Sequence, residues 1–321
     1  YDLINITTVS GYSVTLTPNH KLPVKRNKNK ILVTANKCNV KDKLSTIGNI
    51  TLNNFSSPKF KDFVKENKLP FKNCQLNETF FYLIGAMLGD GYSGAEIKNG
   101  KIIYKGSPSL VGKDLEIINF LIDVCEKNNI HHNLTKNTYD TPQLILTKSN
   151  WFREFLVNCG IDKGIKKHIS LNLMNANNQN LIELIKGLFD TDGYVEKKRL
   201  GFANNSLNLI KNLQKILLRF SIITSLKIKK PSSMKIYEKE YKTKKSYELL
   251  ITNNRSILEF HKHIGFKIKR KQDSLNILIQ KINSNILYFE CKKCNYKLYK
   301  DLFSGRTQKQ REWGLKKLKV I

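Results

Sequence analysis

The sequence predicts an α+β protein made of two halves with one plan, each running helix, two strands, helix, two strands, helix. Three observations carry this expectation. An apolar, helix-like stretch ending in Asp-Gly-Tyr occurs twice, as Phe81-Tyr82-Leu83-Ile84-Gly85-Ala86-Met87-Leu88-Gly89-Asp90-Gly91-Tyr92 and as Leu184-Ile185-Lys186-Gly187-Leu188-Phe189-Asp190-Thr191-Asp192-Gly193-Tyr194. Downstream, Leu144-Ile145-Leu146-Thr147 with Phe155 and Gly160-Ile161 is echoed by Leu249-Leu250-Ile251-Thr252 with Phe260 and Gly265-Phe266. Between these blocks, helical apolar spacing alternates with short strand-like runs, as expected of a duplicated supersecondary unit.

The elements follow in order. Asn77 is placed to cap the first apolar helix and Gly91 to end it; Asn180 and Gly193 are the matching choices for the second. Ile97-Lys98-Asn99-Gly100-Lys101-Ile102 reads as two strands joined by a tight Asn-Gly turn, with a shorter equivalent around Lys197-Lys198. Next come helices with apolar residues at Leu115, Ile118, Ile122 and Cys125 in one half and at Ile210, Leu213, Leu217 and Phe220 in the other. A second strand pair and a further helix complete each half.

Length and charge narrow the function. A chain of 321 residues can bury a substantial core in two or three modules. Lys plus Arg outnumber Asp plus Glu by 56 to 26, a net charge of +30, which favours partners of dense negative charge, nucleic acid first. An AT-rich genome enriching Lys, Asn and Ile would give the same composition with no ligand. The six cysteines are too sparse for a secreted disulfide scaffold, which points to a reducing compartment. No apolar run is long enough to span a bilayer and no signal sequence is evident, so the expectation is a soluble, cytoplasmic protein without a membrane partner.

The chemistry centres on Asp90 and Asp192. Gly85 with Gly89, and Gly187 with Thr191, put small residues one turn apart on one helix face, so two such helices can approach closely with their C-terminal ends side by side. Two carboxylates brought together there repel unless a cation lies between them. Oxygen ligands with positions left for water and phosphate suit Mg²⁺, with Mn²⁺ as a substitute. The competing reading is that each Asp-Gly merely turns the chain into a hairpin.

Residues 83–91 and 185–193 resemble the nine-residue motif of the LAGLIDADG homing endonucleases, in the intein-encoded, DOD-type branch. The resemblance covers roughly residues 78 to 285. It implies a monomer with internal pseudo-twofold symmetry, two αββαββα repeats whose sheets form a saddle in the major groove of double-stranded DNA, and metal-dependent hydrolysis of both strands at a long site. It makes Asp90 and Asp192 the metal-binding carboxylates. Leu88 stands where the family often has another acid; the second motif retains one as Asp190. The family's basic residue near each metal site falls on Lys167, in Lys167-His168-Ile169-Ser170, and on Lys271, although Lys166 or Lys269 could take either role and an ordinary solvated lysine is the alternative. Gly11 to His20, with Ala35 to Leu44, resembles part of an intein (Hint) splicing domain, in which Thr17 and His20 would polarise the upstream splice junction. With no splicing Cys or Ser at Tyr1 and no terminal His-Asn, the chain reads as an internal portion or relic of an intein.

The expected organisation is a partial splicing segment over 1–50, a linker over 51–77, repeats over 78–172 and 173–288, and a basic tail over 289–321. Strand alternation puts Lys101, Ile103 and Lys105 on one face and Lys227 and Lys229 together on another strand; with Lys98, Lys197 and Lys198 these are the candidate DNA contacts. Cys291-Lys292-Lys293-Cys294 has half the spacing of a zinc ribbon and no further ligands, so two free thiols are expected rather than zinc. A stretch from Gln308 to Leu318 reads either as a helix or as a solvated tail. Other function classes are a non-catalytic nucleic-acid binder or RNA maturase on the same fold, and a protein-splicing element.

Overall fold

The computed structural model describes residues 2–45, 57–69, 76–236, 239–284, 288–290 and 297–299. The chain forms two compact units, 1–275 and 276–321. Cys291, Cys294 and the stretch from Gln308 to Leu318 lie outside the described residues.

The first unit opens with a β-rich module. Strands β1 (Ile4–Thr7) and β2 (Ser13–Leu16) form an antiparallel ribbon, and β3 (Lys21–Arg26), β4 (Asn29–Thr34) and β5 (Lys43–Leu44) form a sheet of order β4-β3-β5. The β3–β4 connection is two residues, Asn27 and Lys28, both at positive φ, the geometry that matches a hairpin's right-handed twist. Part of the segment expected as a linker is core: Phe60, Phe63 and Val64 are buried, and the Phe60 ring lies 5.1 Å from Phe80 and 4.8 Å from Phe155.

Two helices occupy the centre, α1 (Glu78–Asp90) and, further along, α5 (Asn178–Asp192). Every residue of α1 from Phe80 to Gly89 is buried, as a helix apolar on all sides must be. Asn77 caps α1, its side chain accepting from Phe80 N at 3.1 Å. The α5 cap is Asn177 rather than Asn180, accepting from Asn180 N at 2.9 Å. Asn180 sits one turn inside and donates to Ser57 Oγ at 2.8 Å, so α5 begins three residues earlier than expected. The two helices pack backbone to backbone. A Cβ on Gly85 would lie 2.2 Å from the Leu184 carbonyl oxygen, and one on Gly187 would lie 2.4 Å from that of Tyr82. Glycine is the residue both positions accept.

After α1 come β6 (Gly91–Tyr92), β7 (Ala95–Lys98), β8 (Lys101–Tyr104), β9 (Ser109–Val111), α2 (Leu115–Lys127), β10 (His132–Lys136), β11 (Pro142–Leu146), α3 (Asn150–Asn158) and the short α4 (Leu171–Met174). After α5 come β12 (Gly193–Glu196), β13 (Arg199–Asn204), α6 (Leu207–Arg219), β14 (Ser225–Lys229), β15 (Ser233–Ile236), β16 (Lys239–Lys242), β17 (Ser246–Ile251), α7 (Asn254–His263) and α8 (Lys269–Ser284). The four-stranded sheets run β6-β9-β11-β10 and β12-β13-β17-β14. Both therefore place the first two strands side by side and the last between the second and third. Hairpins β7–β8 and β15–β16 are extra, the former turning at Asn99 and Gly100 with positive φ at both.

Helices cover one face of each sheet. Leu110, Leu144 and Leu146 point inward in the first, and Leu200, Phe202, Leu249 and Ile251 in the second, all 2% exposed or less. The echoed Phe155 and Phe260 are fully buried on α3 and α7. In α6 the stripe of Ile210, Leu213 and Leu217 is buried as expected. In α2 the expected Ile118 and Cys125 are buried, joined by Ile117, Leu121 and Val124, while Leu115 is 54% exposed and Ile122 half-buried. Leu115 is the first helical residue.

The N-terminal module joins the second sheet at its edge. The turn between β1 and β2 places the Ser10 carbonyl to accept from Leu226 N of edge strand β14 at 3.0 Å and from Gln214 Nε2 at 2.9 Å. Tyr12 OH accepts from Thr224 N at 3.1 Å. An exposed row of strand donors is thus partly satisfied within the chain. Of the second unit, the described residues are the end of α8 and a ribbon of β18 (Tyr288–Glu290) with β19 (Lys297–Tyr299). Among the described residues no helix is long and apolar enough to cross a membrane.

Candidate active site

Close packing of α1 on α5 brings Asp90 and Asp192, the last residue of each helix, to the same end of the pair. Burial raises Asp90 above its ordinary carboxylate value, opposed by the charges of Lys167 and Lys271. Burial also pushes Asp192 up to about 6, with the charge of Asp90 adding to the shift and a hydrogen bond from Asn204 opposing it. The charge of Asp90 thus acts on Asp192 at the end of the helix pair. Asn204 Nδ2 donates to Asp192 Oδ2 at 2.8 Å.

Each helix end is capped by one buried lysine. Lys167 Nζ donates to the carbonyls of Gly89 at 2.5 Å and Met87 at 3.5 Å. Lys271 Nζ donates to those of Asp190 at 2.6 Å, Phe189 at 3.0 Å and Thr191 at 3.1 Å. Met87 and Gly89 stand in the first motif where Phe189 and Thr191 stand in the second, so the same carbonyls are held in both. A cation at a helix C-terminus satisfies orphan carbonyls and complements the macrodipole. Lys167 is 8% and Lys271 6% exposed, and burial lowers both ammonium groups from their ordinary value, while the nearby aspartates act in the opposite sense. The alternatives point elsewhere: Lys166 donates to the Ile97 carbonyl at 3.3 Å and Lys269 pairs with Asp273 at 2.7 Å.

Asn204, Ser206 and Lys167 form a relay between the halves. Asn204 Oδ1 accepts from Ser206 N at 2.9 Å, and the Ser206 hydroxyl donates to the Lys167 carbonyl. Nothing in the sequence marks Asn204, because its partner lies across a strand turn. A cleft of about 310 Å³ lined by Asp114, Thr191, Gly193, Tyr194, Arg270 and Lys271 opens beside this centre, and Arg270 bridges to Asp114 at 3.2 Å.

The residues suit a small, hard cation. Asp192, half-buried, and the more open Asp90 offer oxygen donors and a repulsion that a cation would relieve. Among the described residues no group of three or more His, Cys, Asp or Glu side chains could hold a metal, so the remaining positions would fall to water and substrate oxygens, as Mg²⁺ prefers.

The surface lysines are distributed unevenly. Lys98, Lys101 and Lys105 lie on the β7–β8 hairpin, beyond the four-stranded sheet, and the buried Glu96 pairs with Lys105 at 2.5 Å and Lys98 at 3.3 Å. The outward face of the first sheet carries Tyr92, Ser109, Val111, Asn133, Thr135, Gln143 and Ile145, none of them charged. In the second sheet the outward face carries Arg199, paired with Glu196 at 2.7 Å, and Lys227 and Lys229, with Glu248 paired to Lys229 at 2.9 Å and accepting from Tyr194 OH. Lys101, Lys197, Lys198 and Lys227 are exposed and make no ion pair among the described residues. Thr17 and His20 sit in the exposed turn after β2, His20 N donating to the Thr17 carbonyl at 3.1 Å, with no hydrogen bond to the Asp90–Asp192 centre.

The ATP-dependent DNA helicase Hel308 of Methanocaldococcus jannaschii is 27% identical over the whole of this chain, which covers 26% of it. The DNA-directed RNA polymerase subunit Rpo1C of the same organism is 26% identical over 89% of the chain, which covers 33% of it. The chain thus spans about a quarter to a third of the length of these relatives. A solved structure of the homing endonuclease I-DmoI in complex with DNA and Ca is 16% identical, covering 62% of this chain and 97% of that one, with a TM-score of 0.43. Residues 179–265 match the LAGLIDADG-like domain family. The matched stretch takes in nearly all of α5, with both Asp190 and Asp192, and the second sheet.

Proposed function

We propose that this chain is a site-specific endonuclease of the LAGLIDADG homing type, which hydrolyses both strands of double-stranded DNA with divalent metal, and that it is carried within an intein of the DOD type. The observation that carries the nuclease reading is the pair of carboxylates Asp90 and Asp192 at the joined ends of α1 and α5, where each helix end is held by its own buried lysine. The intein reading is supported by the relatives: a helicase and a polymerase subunit differ in activity, yet each aligns with nearly all of this chain over a minor part of its own length. A module inserted into unrelated hosts produces that pattern. The N-terminal β-rich module with Thr17 and His20 is then the partial splicing segment. The two motif helices and their sheets are the two pseudo-symmetric repeats of a monomer.

In this reading Asp90 and Asp192 hold Mg²⁺, which when bound would neutralise phosphate charge and favour ionisation of an attacking water. Asn204 orients the Asp192 carboxylate. Lys167 and Lys271 keep positive charge beside the scissile phosphates, where charge develops in the transition state. The outward faces of the sheets meet the duplex, with exposed lysines on its phosphates.

The test is cleavage of DNA carrying the uninterrupted host-gene sequence. Asp192→Asn is expected to slow double-strand cleavage by at least about 10²-fold while DNA binding is kept. EDTA is expected to stop cutting, Mg²⁺ or Mn²⁺ to restore it, and Ca²⁺ to support binding with little cutting. Full cutting by the variant, or cutting in EDTA, would overturn the reading.

A further inference from the structure

Asp190 is fully buried at the last turn of α5, and its carboxylate turns away from Asp192 toward two other elements. Lys267 N donates to it at 3.1 and 3.2 Å and Ile268 N at 3.4 Å. These amides open α8, whose first turn carries Lys271. Lys271 in turn reaches back to the carbonyls at the end of α5. The two contacts form a reciprocal lock: the end of α5 holds the start of α8 through a carboxylate, and α8 holds the end of α5 through an ammonium. A third leg crosses to the other half, where Tyr82 OH on α1 donates to Asp190 Oδ2 at 2.8 Å. Lys267 closes the group, with Nζ 4.0 Å from the Phe120 ring centroid, 4.9 Å from that of Tyr82 and 3.3 Å from Glu183.

The first half lacks this lock. At the matching position stands Leu88, fully buried and without a polar group, and Lys167 is anchored through the Ser206 hydroxyl on its own carbonyl. The two lysines occupy equivalent places on their helix ends but are held by different means.

We propose that Asp190 is a positioning residue that fixes Lys271, and with it the half of the centre that serves one DNA strand. The inference rests on the nuclease reading for its consequence, not for the lock itself. Losing the lock would let the start of α8 drift while leaving the first half intact, and a displacement of about 1 Å can cost on the order of 10²-fold in rate. The consequence is unequal cutting of the two strands, which general destabilisation would not produce.

The experiment compares wild type, Asp190→Asn and Tyr82→Phe as full chains in two measurements. In hydrogen–deuterium exchange, Asp190→Asn is expected to lose amide protection over residues 266–272 selectively, while Tyr82→Phe, which keeps the Lys267 and Ile268 bonds, retains most of it. In cleavage of supercoiled plasmid with strand-specific end labels, Asp190→Asn is expected to accumulate nicked circles, one strand slowed about ten- to a hundredfold more than the other, while Tyr82→Phe keeps the wild-type ratio. Unchanged protection over 266–272, or equal slowing of both strands, would overturn the proposal. A wild type that binds no metal and cuts no DNA would instead overturn the nuclease reading, and the exchange measurement would still decide whether Asp190 holds the start of α8.

Discussion

A carboxylate shifted from 3.8 to about 6, as Asp192 is, links stability, pH and metal in a way that can be measured without any DNA. The folded chain holds the Asp192 proton more tightly than the unfolded chain does. The metal-free fold therefore bears no cost from this group below about pH 4, loses stability as the pH rises from there to about 6, and is level above that. At about 1.4 kcal/mol per pH unit the loss is on the order of 3 kcal/mol. A cation between Asp90 and Asp192 would take the place of the proton and relieve this cost. Thermal unfolding in EDTA and in saturating Ca²⁺ should then show a stabilisation that is larger at pH 8 than at pH 5. At pH 5 the cation must displace the proton, which weakens its apparent affinity about tenfold, or about 1.4 kcal/mol. In EDTA at pH 8, Asp192→Asn should unfold above wild type by several degrees, and the difference should vanish near pH 4. An equal effect of Ca²⁺ at both pH values, or an Asn variant no more stable than wild type at pH 8, would refute the reasoning.

Two further outcomes follow from packing and charge. Gly85→Ala places a methyl group against the Leu184 backbone and should cost about 1–3 kcal/mol by overpacking, read by urea titration; an unchanged midpoint would mean that the helices do not meet there. If about six to ten phosphates are neutralised, log K for DNA should fall against log salt with a slope of roughly −5 to −9, and Lys227→Ala should reduce that slope by about one; identical slopes would make Lys227 a solvated lysine.

The features legible in the sequence were those fixed by contact between neighbouring turns. Gly85 and Gly187 announce a close helix approach because no side chain fits between touching backbones. Phe155 and Phe260 announce matching cores because burial constrains them equally in both halves. Where several residues can satisfy the same local requirement, the sequence does not choose: Asn177, Asn178 and Asn180 are all able to cap α5, and tertiary packing selects Asn177. The stripe of α2 was only partly legible for a related reason, since Leu115 at the helix start fits the spacing but not the buried face. Partners brought together across strands or between halves left no pattern at all. Lys98 and Lys105 by the β7–β8 hairpin are engaged by Glu96 and Lys229 of β14 by Glu248, and Asn204 and Tyr82 reach their aspartates over spacings that no motif records.

The two halves are held to symmetry in one place and released from it elsewhere. Where α1 meets α5, backbone lies on backbone, so a side chain gained on one helix would have to be met by a loss on the other, and glycine persists on both. Away from that contact, on the outward faces of the sheets, the halves differ. The first presents amides and hydroxyls, Asn133, Thr135, Gln143 and Ser109, among the apolar Val111 and Ile145; the second presents Lys227, Lys229 beside Glu248, and Arg199 paired with Glu196. Neutral donors and acceptors suit base edges, whereas lysine and arginine add phosphate attraction that salt screens. Two identical chains could not divide the work in this way, because every change on one face would recur on the other. Joining the halves in one polypeptide removes that restriction while the shared helix pair still sets the two carboxylates together, and the same freedom admits an acid at Asp190 opposite an apolar Leu88.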